Sequence, residues 1–134
     1  MIHAFLILFY SDANASSKSD KKEKLNQRIE NIEYGIKCLE RALKMNDKGE
    51  EASKFEKASF AESCFKDGKA NKAAEIVKKA KFDALKGKMD EANHQFEKAI
   101  EYAQDTIDEC ETDLELLDRW LNLFVLVSLH KKGE

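Results

Sequence analysis

GKANKAAEIVKKAKFDALKGKMDEANHQFEKAIEYA, residues 68–103, is the stretch that decides the fold. Met89, Ala92, Phe96, Ala99, Ile100, Ala103 and Ile107 recur at steps of three and four, which draws one apolar stripe along a helix. Asp90, Glu91, Glu97, Lys98 and Glu101 fall between them as its solvent face. Ala73, Val77, Ala80 and Ala84 draw a second stripe upstream. Those side chains are small, so a neighbouring helix can come close. Gly87 separates the two helices, at a turn where positive φ suits glycine best. The stretch therefore predicts a helical hairpin with an alanine-rich seam.

Gly49, Gly68 and Gly87 stand at equal intervals, and each is followed within a few residues by alanine: Ala52, Ala73 and Ala92. This is a short internal repeat of one helix plus one turn. It predicts antiparallel helices stacked through short connections. Gly87, Ala92, Phe96, Ala99 and Ile100 resemble the second half of a tetratricopeptide repeat. Lys79 and Asp83 stand where that family carries aromatic and leucine positions in the preceding helix. The hairpin over residues 69–104 is also similar to the first two helices of microtubule-interacting-and-transport domains. Both families bind peptides or helices, so the resemblance implies a protein-interaction module rather than an enzyme.

Upstream, Leu25, Ile29, Ile32, Ile36, Leu39 and Leu43 form a heptad seam. It reads as the core face of a bundle helix, with a coiled-coil dimer as the alternative. Asp20 with Glu23, and Ser53 with Glu56, have capping-box spacing and predict two helix starts. Ala52, Phe55, Ala58, Phe60, Ala61, Cys64 and Phe65 make the next helix apolar around much of its girth, which predicts burial on more than one side. Before all of this lies an apolar run, Ile2 to Tyr10, followed by Ala13-Asn14-Ala15. Residues 1–15 have two readings: a signal peptide cleaved after Ala15, or an apolar segment packed on the body. The run is too short to span a bilayer, and no basic residue precedes it. Cleavage would give an exported protein; retention would leave it cytoplasmic. Residues 16–134 read as one helical domain.

Downstream of Ala103 the helical period continues through Ile107, Cys110, Leu114, Leu117, Leu121 and Phe124. The helix either runs on or restarts at Thr112, with Glu115 three residues later. From Trp120 to Leu129 only Asn122 and Ser128 are polar. A lone helix in a small bundle buries only part of its girth, so some of these side chains need another cover. Trp120, Leu121, Phe124 and Val127 are the expected partner-binding residues.

Composition supports the same picture. The chain has 134 residues, no proline and a net charge of −3, so long helices are expected and no strong field is. Eight lysines lie between Lys66 and Lys88, and eleven acids between Asp90 and Asp118. A basic helix thus precedes an acidic one, and exposed ion pairs between their flanks are expected. Nucleic acid is not expected as a partner: the lysine helix has no arginine and Phe82 as its one aromatic. The three cysteines fit no paired framework and no zinc spacing, so buried thiols are expected. Glu91 and His94 make a Glu-x-x-His pair without the second copy that a di-iron bundle uses. His94 lies off the apolar stripe and is expected to face water. No phosphate loop or readable nucleophile arrangement is present. The reading is a non-enzyme of four or five helices, either an antiparallel bundle or a short tetratricopeptide-like array. No cofactor or metal is expected. The expected partner is another protein or the chain itself, and the apolar termini leave a membrane surface open as a third.

Overall fold

Small side chains let the middle of the chain close. In the computed structural model, which describes the backbone of residues 2–133 and the side chains of residues 17 and 19–129, the protein is all-α. Four helices follow one another: α1 (Ile2–Leu43), α2 (Glu51–Asp67), α3 (Asn71–Leu85) and α4 (Met89–Gly133). No strand occurs among the described residues. The chain divides into two compact units. One is Gln27–Glu109; the other joins Met1–Asn26 with Cys110–Glu134. The readings of Ile2–Tyr10 as an apolar run and of Ala13–Ala15 as a cleavage site concern side chains outside the described residues.

Within Gln27–Glu109 the alanine seam is the core. Ala73, Val77, Ala80 and Ala84 of α3 and Ala92, Phe96, Ala99 and Ala103 of α4 are all buried, as their spacing predicts. Ile32, Leu39 and Ala42 of α1 and Ala58, Ala61 and Phe65 of α2 complete it. From Ile29 to Leu43 the heptad seam of α1 therefore serves the core of this unit, while Leu25 belongs to the other unit.

The turns follow backbone chemistry. After α3, Gly87 adopts φ 82°. Its N–H bonds Ala84 O, and Lys88 N–H bonds Asp83 O. This is the left-handed helix ending that satisfies the last carbonyls. The same pair of bonds ends α2: Lys69 N–H reaches Lys66 O and Ala70 N–H reaches Phe65 O. There the positive φ belongs to Lys69 (60°), and Gly68 is ordinary helical backbone. Gly68 answers to packing instead. A Cβ on it would lie 2.5 Å from Ile32 Cγ1 and 2.9 Å from Arg28 O. Arg28 Nε in turn donates to Gly68 O at 3.0 Å. The equal spacing of the three glycines thus covers two different roles. Gly35, silent in the sequence, is a second close approach: a Cβ there would lie 2.6 Å from the Phe65 ring.

Both expected capping boxes are absent. Asp20 and Glu23 lie inside α1, which has already begun. Ser53 lies inside α2, which starts at Glu51 without a side-chain cap. Glu50 and Glu51 instead reach back into the turn, accepting from Asp47 N–H at 3.1 Å and Gly49 N–H at 2.8 Å. Two carboxylates satisfy the loop at the positive end of the helix, so a serine is not needed.

α2 departs from its apolar reading at both ends of its girth. Phe60 is exposed, and a lysine takes a core position. Lys54, Ala58, Ala61 and Phe65 share one face, and Lys54 is fully buried. Its Nζ donates to Ala42 O at 3.0 Å, to Asn46 Oδ1 at 2.7 Å and to Asn93 Oδ1. Three N–H donors meet three oxygens, which is what makes burial of an ammonium tolerable. Burial still lowers the Lys54 pKa, with Glu50 acting against it. Glu62, also buried, lies 2.8 Å from Lys66 Nζ and 2.9 Å from Lys81 Nζ. Burial alone would raise its pKa, but hydrogen bonds from the two lysines hold it below the ordinary carboxylate value.

Candidate functional site

The second half of α4 carries the surface that stands apart from the rest. No proline or glycine interrupts the chain from Met89 to Lys132, and the helix runs unbroken to Gly133. The restart expected as one option at Thr112 does not occur. With about 100° between successive residues, the segment from Leu114 onward shows two adjacent apolar stripes. Leu114, Leu117, Leu121 and Phe124 form one, spaced three, four and three, and all four are half-buried. Leu116, Trp120, Leu123 and Val127 form the other, spaced four, three and four. Leu116, Leu123 and Val127 are 54–61% exposed, as is Leu126 on their flank, while Val125 and Leu129, also exposed, fall on the far side of the helix.

The four expected partner-binding residues divide between these stripes. Leu121 and Phe124 belong to the inner one. Val127 belongs to the outer, exposed one. Trp120 lies at the border, half-buried, its ring stacked on Phe124 at 5.9 Å and 9°. Phe124 is half-buried, in contact with the Trp120 ring. Leu116 lies before the segment read as apolar, and Leu123 and Leu126 lie within it without being among the four expected residues. Their signal was available as a second period of three and four, one face round from the first.

Charges frame the segment. Lys22 of α1 meets Asp118 at 2.6 Å, and Arg119 lies 3.5 Å from Glu115 one turn earlier. All four groups are well exposed, and such pairs contribute about 0–1 kcal/mol. They position the helix surface without accounting for it.

Two other surfaces were candidates. A cleft of ≈ 540 Å³ runs between α3 and α4, lined by Lys72, Glu75, Ile76, Lys79, Asp83, Lys98 and Tyr102 among others. Lys72 lies over the Tyr102 ring at 4.4 Å, and Lys81 turns to Glu62 of α2. Those two α3 lysines thus engage a ring and a neighbouring helix, rather than the acids of α4. The cleft mixes both signs of charge and favours no ligand class. On the other side of the unit, Tyr34 and Phe60 are half-exposed and tilted against each other at 5.7 Å. A small hollow of ≈ 130 Å³ adjoins them.

No three His, Cys, Asp or Glu side chains gather to hold an ion among the described residues. His94 is exposed, off the stripe, as its position predicts. Cys38 and Cys64 are free thiols, and Cys110 is buried. Burial raises the pKa of both Cys38 and Cys64, which leaves little thiolate at neutral pH. No helix among the described residues is long and apolar enough to cross a membrane. The chain matches no protein-family model, no curated protein and no solved structure.

Proposed function

We propose that this chain is a non-catalytic protein-interaction module, an adaptor or chaperone-like helical protein, whose docking surface is the outer stripe of α4. The observation that carries the reading is the exposed row Leu116, Leu123 and Val127 with Leu126 on its flank. Scattered exposed apolar residues are ordinary, but a contiguous row on one helix face marks a contact site. The resemblance of residues 69–104 to helical peptide-binding repeats agrees with a binding role. Export of the mature chain belongs to the same proposal and depends on cleavage after Ala15.

A photo-reactive phenylalanine analogue placed singly along α4 in the producing cell tests this. Adducts should form from positions 116, 123 and 127. They should be absent from Leu117 and Leu121 on the inner stripe and from Glu97 on the solvent face of the alanine core. Adducts spread evenly over all six positions, or confined to the inner stripe, would overturn the proposal.

A further inference from the structure

We infer that the occupant of the outer stripe is a second copy of this chain, laid antiparallel across it to make a four-helix bundle. This rests on the reading of the stripe as a docking face and names what docks there.

The geometry points to it in three ways. First, a helix with two adjacent apolar stripes has the pattern of a four-helix bundle, in which each helix touches two neighbours. The unit formed by Met1–Asn26 and Cys110–Glu134 supplies two helical segments. A second copy supplies the missing two. Second, the exposed aliphatics gather on one side: Leu116, Leu123 and Val127 lie within about 40° of one another round the helix, with Leu126 at their edge. Third, charge selects the orientation. The segment from Asp105 to Asp118 is acidic, and the sequence after Leu129 reads His130-Lys131-Lys132. An antiparallel copy runs the acidic half of one chain beside the basic end of the other. A parallel copy would set acid against acid, and anionic lipid would be repelled by the same acids.

The spacing fits a two-fold axis. Steps of four, three and four read the same in both directions, so the stripe is complementary to its own reverse. The axis passes midway between Trp120 and Leu123, and Leu116 faces Val127 of the second copy.

Sedimentation equilibrium of the full-length chain, with helix content followed in parallel, tests the register. Wild type should sediment as a dimer at about 100 μM, a concentration well above a micromolar dissociation constant. Leu116→Glu and Val127→Lys should each weaken dimerisation at least tenfold and keep wild-type helix content. Mixing the two variants should restore the dimer, because the introduced carboxylate and the introduced ammonium then meet across the axis while the other Leu116–Val127 layer is intact. A folded wild-type monomer at the highest concentration would overturn the self-pairing and leave the docking face to another partner. If that monomer binds vesicles of anionic phospholipid, the partner is a membrane. A dimer untouched by either substitution, or left unrestored by mixing, would overturn the proposed register. Loss of helix content in both variants, and also in the milder Leu123→Gln, would sink the docking face itself.

Discussion

Helix α4 takes part in two kinds of packing, and they do opposite things with similar patterns. In its first half Ala92, Phe96, Ala99, Ala103 and Ile107 are fully or almost fully buried. In its second half larger side chains at the same three-four spacing stay half-buried or more than half exposed. The first stripe is less hydrophobic per residue than the second, yet it is the one that closes. Burial here follows the number of helices available as neighbours. Alanine lets helices approach closely, and in Gln27–Glu109 the core is drawn from all four helices. The other unit draws on two. Apolar surface beyond what two helices can cover on each other is left for something else.

The closed core is most sensitive at Phe96. Phe96→Ala empties a fully enclosed aromatic site and should cost about 3–5 kcal/mol, read as a lower denaturant midpoint. The close approaches come next. Gly68→Ala drives a Cβ against the Arg28 carbonyl and Ile32, and should cost about 1–3 kcal/mol despite the gain in helix propensity. Gly49→Ala serves as its control, since nothing lies within 4 Å of a Cβ there and only its φ of +100° resists.

Glu62→Gln tests the buried charge by pH. The folded pKa of Glu62 lies below the ordinary 4.5. Its ionised form is therefore favoured by folding, and the stability it contributes is present in full above pH 4.5. That contribution fades as pH falls through the folded pKa. The stability gap between wild type and Glu62→Gln should be constant near neutrality and close below pH 4.5. A gap that widens on acidification would contradict the assigned ion pairs. The smallest effect belongs to the outer stripe. At protein concentrations too low for assembly, Leu123→Ala should change stability by no more than about 0.5 kcal/mol, as surface positions do.

How much of this could be read from residues alone varies with the physics involved. The all-α class, the hairpin at Gly87 and the burial of Phe96 were legible because periodicity and small side chains act locally. The heptad stripe of α1 was legible as a core face, but its closest packing at Gly35 was not. A glycine inside a helix carries no signal until the opposing Phe65 is known. Lys54 was illegible for a related reason: nothing local says that Ala42 O, Asn46 and Asn93 will converge on one ammonium. The capping boxes failed because motif spacing cannot report that α1 has already begun or that Glu50 and Glu51 serve the turn before α2. At the candidate site, the apolar segment itself was plain in the sequence. Which of its faces points outward was not, because Trp120 and Phe124 suggest an anchor by size alone. In the structure both are half-buried, whereas Leu116, Leu123 and Val127 are more than half exposed.

The outer stripe of α4 is proposed to belong to an assembly and not to the core. The thermal midpoint as a function of protein concentration tests this most directly, for wild type and for the double variant Leu123→Glu, Val127→Glu. Assembly linked to folding makes the midpoint rise with concentration. The wild-type midpoint should therefore climb over a hundred-fold range of concentration, and that of the variant should stay level near the wild-type value at high dilution. A variant midpoint far below wild type at every concentration, with the wild type itself insensitive to concentration, would show that the stripe is core.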